Sequence, residues 1–234
     1  MLTLPKKLCT IELFKINGVH DENCLLWPAG DAGRALLKMF TDRGDFVYVY
    51  TDRPNDIKLD SVNYEVQRGP KTDDSAMERT ISNADIVVCI PEPVRGSRKD
   101  ETTPCADGVE SAVSVMKKYG KTRLVAGLPV CETEKQGGKM LRFFGKLLRS
   151  FAPHVFRDTC KAMQVIRDSG LEYTVIRYMN PYLKNTKDGY ILSEDGKKVK
   201  AGVSAENLAR CLYDVAVSGE YKGAMPVVYN KKQD

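Results

Sequence analysis

From residue 23 onward, short apolar runs alternate with amphipathic runs, and the connections between the apolar runs are too long for hairpins. Cys24–Leu26, Phe46–Tyr50, Val62–Val66, Asp85–Ile90, Arg123–Ala126, Tyr173–Arg177 and Met225–Tyr229 read as strands, several of them rich in Val, Ile and Tyr. Arg34–Phe40, Ser75–Ile81, Val109–Tyr119, Thr159–Ser169 and Ala205–Ser218 read as helices, with Gly44, Gly120 and Gly170 as stops and Ser204 as an N-cap. Strands joined by helical crossovers predict an α/β fold, a doubly wound parallel sheet in a single domain. At 234 residues the chain suffices for one such core without a second domain. That domain spans residues 22–234. Residues 1–21 form an N-terminal extension in which Leu8–Ile16 alternates like an additional strand. An insertion follows the fifth strand at about residues 131–155. Within it Lys139, Arg142, Lys146 and Arg149 make a basic helix face opposite Leu141, Phe144, Leu147 and Leu148. The default for such a face is solvent; an acidic partner is the sharper alternative.

Between the first strand and the first helix lies Trp27-Pro28-Ala29-Gly30-Asp31-Ala32-Gly33-Arg34. The spacing is that of the glycine turn G-x-x-G-x-x-G of a Rossmann-like dinucleotide site, with Trp in place of the first Gly. Such a turn lets the backbone approach a pyrophosphate and aims helix N–H groups at it. Gly30 and Gly33 suit close approach, Asp31 and Ala32 lie in the same turn, and Arg34 adds a cation. Trp27 stands where the chain must turn tightly, so the indole either caps the cleft or occupies cofactor space. The competing reading is a strand–turn–helix with no ligand.

Asp52 falls nineteen residues beyond Gly33, near the spacing of a ribose-binding acid, while Arg53 suits a 2′-phosphate. The two residues argue for opposite cofactors, and beside Pro54 both also suit an ordinary surface turn.

Asp168-Ser169-Gly170-Leu171-Glu172-Tyr173-Thr174-Val175-Ile176-Arg177 resembles the SGL-x-YT-x-x-RP stretch of atypical short-chain dehydrogenase/reductases. Ser82–Val88, Lys117–Gly120, Gly189-Tyr190 and Val203–Ala209 are similar to that family's other segments. The likeness covers roughly residues 22–230 and is nearest to NAD(P)H-binding, NmrA-like proteins and flavin-reducing biliverdin reductases. It implies a Rossmann fold, NADPH as cofactor with NADH as the alternative, and hydride delivery to a small conjugated or carbonyl substrate. The sequence departs from the pattern at Trp27, at Asp52, near Arg68-Gly69, at Glu92 and at Gly127-Leu128-Pro129, and lacks a Tyr-x-x-x-Lys pair near residues 150–165. These departures leave a second expectation open. A relative that has lost hydride transfer would bind no cofactor if Trp27 blocks the cleft, and would act as an isomerase, a cyclase, a sensor or a scaffold.

Candidate catalytic residues sit at strand ends. Glu92 reads as a base or a loop acid, Arg177 as an anchor for an acidic substrate or a structural ion pair, and Tyr182 as a hydrogen-bond donor or a packing residue. His154 has a suitable intrinsic pKa but lies in the insertion, where a surface position is expected. The seven cysteines are odd in number, scattered and without a C-x-x-C pair, so no metal site or redox motif is expected and a reducing cytoplasmic setting fits. The net charge of +5 is interspersed with acids, and no run reaches membrane-span length. The expected partner is a small-molecule substrate, not nucleic acid or membrane; a homo-oligomer is compatible with the sequence.

Overall fold

The computed structural model describes residues 21–28, 30–91, 102–131, 138–179, 189–197, 199 and 202–231. Eight strands make one sheet: β1 Glu22–Leu26, β2 Phe46–Thr51, β3 Tyr64–Arg68, β4 Ile86–Cys89, β5 Arg123–Pro129, β6 Glu172–Tyr178, β7 Tyr190–Ser193 and β8 Val227–Asn230. Six α-helices connect or flank them: α1 Gly30–Arg43, α2 Asp74–Ile81, α3 Pro104–Lys118, α4 Lys139–Phe151, α5 Pro153–Asp168 and α6 Ala205–Ser218. The strand order is β3-β2-β1-β4-β5-β6-β8-β7. Every pairing is parallel except β7 with β8. The expected doubly wound architecture is therefore observed, with one antiparallel strand added at an edge.

The apolar runs of β1 and β4 are central strands buried on both faces, which is why they read as continuous rather than alternating. Leu25 pairs in register with Val49 on one side and Val88 on the other. Cys24, Leu26, Val87 and Cys89 belong to a core shared with α2, α3 and α5, whereas Leu25, Val88 and Val49 belong to a core shared with α1 and α6. The period-2 alternation of the strands thus sorts their side chains between two helical layers. Ser204 accepts from the Asn207 N–H and caps α6, as expected. Gly44, Gly120 and Gly170 all have positive φ. Behind β5 and β6, the buried Arg123 guanidinium donates to the carbonyls of Glu172, Val215 and Glu220 and to Thr174 Oγ1, tying sheet and α6 together.

Several expectations are corrected. Helix α5 begins at Pro153, inside the stretch assigned to the insertion, and α3 begins at Pro104 rather than Val109. Both start with proline at the first helical position, behind residues whose side chains make no cap hydrogen bond. The basic run is a helix, but its faces differ from those expected. Leu141 is buried and Leu148 half-buried, whereas Leu147 is 38% exposed and aligns with exposed Met140, Phe143 and Phe151. The proposed strand at Leu8–Ile16 lies outside the described residues. No helix among the described residues is long and apolar enough to cross a membrane.

Candidate functional site

From β1 the strand order runs to β2 and β3 in one direction and to β4, β5 and β6 in the other. In open sheets the cleft outside the strands' carboxyl ends at such a reversal is where ligands bind. The turn leaving β1 borders it. Trp27 N–H donates to the Tyr50 carbonyl at 2.8 Å, carrying the β1–β2 pairing one residue further. The next backbone step is unusual, because Trp27 has φ of +55°. An extended residue there would send its side chain to the α1 face, opposite Leu26. The left-handed step instead puts the indole in the same core as Leu26, on the α2/α3 side. The ring is 2% exposed. Its edge lies over Gly108 of α3, where an added Cβ would come within 3.2 Å of Cζ2. Its Nε1 is buried without a hydrogen-bond partner. Trp27 is thus a core residue aimed at α3.

Gly30 opens α1 with φ of +80°. Gly33 is pressed against the turn, so that a Cβ would lie 1.9 Å from the Pro28 carbonyl oxygen. This locks the first turn of α1 beneath the carboxyl end of β1, with N–H groups and the positive helix end directed at the cleft. Ala32 packs its methyl toward the α1/α6 core and contributes backbone only. Gly33→Glu is no clean probe of phosphate binding, because its side chain would meet the Pro28 backbone.

The charged candidates pair with one another. Arg34 bonds Asp31 at 2.5 Å, and both are exposed. Arg53 Nε lies 4.0 Å from Asp52 and 3.8 Å from Asp56, also at the surface. Exposed pairs of this kind contribute little stability. Next to them Tyr50 fills the space left by Gly69, where a Cβ would lie 2.0 Å from the phenol oxygen, and its hydroxyl donates to the Pro70 carbonyl at 2.8 Å. Burial, reinforced by Asp73, Asp52 and Asp74, pushes that phenol up to about 12.

At the other half of the cleft, Arg177 faces the α5 side of β6 and is half-buried; burial brings its guanidinium down to about 10, opposed by Cys131. Glu92 and Tyr182 lie outside the described residues. His154 is half-buried at the start of α5 rather than at the surface, with Nδ1 enclosed and unpartnered.

Two features went unrecognised in the sequence. Asp158 of α5 is buried and accepts from the N–H groups of Cys105 (3.1 Å) and Ala106 (2.8 Å), capping α3 across the core. Burial raises its pKa despite these bonds. It lies between the predicted insertion and the helix read at Thr159–Ser169, where nothing in the sequence singles it out. Cys131, just beyond β5, meets Cys160 of α5, whose thiol donates to the Cys131 carbonyl at 3.7 Å. No cluster of potential metal ligands occurs among the described residues.

A family model described as NAD(P)H-binding matches residues 29–218. No curated protein matches. Solved structures do. A Rossmann-fold NAD(P)-binding family protein from Shigella flexneri is 19% identical, with a TM-score of 0.67 over 92% of this chain and 96% of that one. A short-chain dehydrogenase/reductase from Veillonella parvula in complex with NADP is 16% identical, with a TM-score of 0.71 over 91% and 95%. ChuY, an anaerobillin reductase from Escherichia coli O157:H7, is 12% identical, with a TM-score of 0.69 over 91% and 98%. At these identities the structures establish a shared fold.

Proposed function

The chain belongs to the NAD(P)H-binding family, and from that premise we propose that it is an NADPH-dependent reductase of a small conjugated or carbonyl substrate. One observation carries the reading: Gly30, with positive φ, and Gly33, pressed against Pro28, stand at the strand-order reversal while the indole points away, toward α3. The N–H groups of Gly30, Asp31, Ala32 and Gly33 would face the pyrophosphate, with Arg34 beside them. Arg53, released from Asp52 and Asp56, would fork onto the 2′-phosphate, and Asp52 would serve NADH instead. When bound, the nucleotide supplies the hydride. The chain's part is to hold and orient it, and on the substrate side Arg177, Glu92 and Tyr182 are the candidate contacts. A solvated acidic substrate would find in Arg177 a cation already largely desolvated.

The second reading, a cleft that no longer transfers hydride, draws on Trp27 and Tyr50, which together fill the α2/α3 side beneath the ends of β1 and β2. Thermal melting with NADPH and NADH separates the two. Nucleotide at 100 times its Kd stabilises by about 2.7 kcal/mol, roughly 5–10 °C for a chain of this size. Trp27 is the sole tryptophan, so its fluorescence gives an independent titration. A shift with NADPH followed by NADPH oxidation with quinones, enones or aldehydes supports the reductase. No shift with either nucleotide overturns it.

A further inference from the structure

Four of the described cysteines, Cys24, Cys89, Cys105 and Cys211, are buried, and two, Cys131 and Cys160, are partly exposed. The two that solvent reaches are the two that touch each other. They come from different elements, the segment after β5 and the middle of α5, and the intervening chain contains α4. Cys160 Sγ lies 3.7 Å from the Cys131 carbonyl, and Cys131 Sγ lies 3.7 Å from Met163 Sδ. We propose that Cys131 and Cys160 form a reversible two-electron redox site that reacts with hydroperoxides and closes to a disulfide.

The surroundings suit this chemistry. Arg177 and Arg167 place positive charge near Cys131, and reactive thiols occupy partly exposed, electropositive sites. The proximity of Cys131 holds the Cys160 thiol below the ordinary range, while Cys160 and burial raise Cys131. Cys160 is therefore the attacking sulfur. Its thiolate forms an S–O bond to the hydroperoxide as the O–O bond breaks; the hydroperoxide is reduced to an alcohol, which takes a proton from solvent, and the sulfur becomes a sulfenic acid. Cys131 sulfur then attacks that sulfur, the S–S bond forms, the S–O bond breaks, and water leaves with the thiol proton. Two thiols and one hydroperoxide give one disulfide, one alcohol and one water. An external dithiol reverses the step by exchange. The disulfide would pin the start of the segment carrying α4 to α5, next to Arg177. This inference is independent of nucleotide binding.

The test uses the full chain and tert-butyl hydroperoxide. Titratable thiols are expected to fall from seven by two, with a Cys131–Cys160 linked peptide in non-reducing mass spectra that dithiothreitol removes. In Cys131→Ser, Cys160 should accumulate as a dimedone adduct; in Cys160→Ser, no intramolecular disulfide should form. Circular dichroism checks that both variants fold, and the wild-type peptide map stands without them. A thiol count that does not fall, or a disulfide joining any other pair, overturns the proposal.

Discussion

Replacing Trp27 separately by glycine and by alanine tests the claim that this residue bears a backbone cost in order to place its ring. Both substitutions empty the same space, a loss of about 3–5 kcal/mol for a buried aromatic. Both also remove the buried Nε1 that lacks a partner, which returns about 1–3 kcal/mol. They differ at φ of +55°. Alanine retains a left-handed penalty of about 1–2 kcal/mol. Glycine escapes it but loses about 0.5–1 kcal/mol more chain entropy on folding. Trp27→Gly should therefore be about 1–2 kcal/mol less stable than wild type and still more stable than Trp27→Ala by about 0.5–1 kcal/mol, the reverse of the usual order. Urea denaturation followed by circular dichroism is the assay, since the substitutions remove the only fluorescent indole. If the alanine variant is as stable as the glycine variant, the left-handed step is not where the cost lies. The same pair reports on the cleft. With the ring aimed at α3, NADPH affinity in the glycine variant should stay within about tenfold of wild type, a change of 1.4 kcal/mol. A larger gain would mean that the indole obstructs the nucleotide.

Gly33→Ala should destabilise by more than about 4 kcal/mol, the range of severe steric conflicts, because its Cβ would lie 1.9 Å from the Pro28 oxygen; a thermal scan near wild type would disprove the contact. Arg53→Ala should weaken NADPH about tenfold, in line with one lost charge-assisted hydrogen-bond pair, and leave NADH unchanged; equal losses for both nucleotides would remove Arg53 from the 2′-phosphate. Asp214 accepts from the Tyr190 hydroxyl at 2.6 Å, and burial raises its pKa. The folded state then holds this proton more tightly than the unfolded chain, so stability falls as pH rises from about 3.9 toward the raised value and is level above it. Asp214→Asn should flatten that slope in urea melts between pH 4 and 7, and an unchanged slope would assign it to other groups.

The sequence disclosed the sheet because its central strands are continuous apolar runs and its helices end on glycines with positive φ. It did not disclose the beginnings of α3 and α5, where proline leads the helix behind a residue that makes no side-chain cap; at α3 the cap comes from Asp158, 53 residues beyond Cys105. Strand β7 escaped notice because four residues, Tyr190–Ser193, carry too little pattern to read. At the site, spacing alone located Gly30 and Gly33. It could not tell which way Trp27 points, since a bulky residue in the left-handed region is too rare to expect. Nor could it pair Cys131 with Cys160, because only the packing of α5 on β5 joins positions so distant in the chain.

Helix α4 bears on handling the protein. Met140, Phe143, Leu147 and Phe151 lie exposed along one side, next to Lys139, Arg142, Lys146 and Arg149, and the helix carries no acid to offset them. In dilute buffer, like charges on two approaching molecules keep these greasy strips apart. Raising the ionic strength shortens the reach of that repulsion without weakening the attraction between phenylalanines. Purification from concentrated salt thus favours clumping, and a low-conductivity buffer preserves dispersed particles.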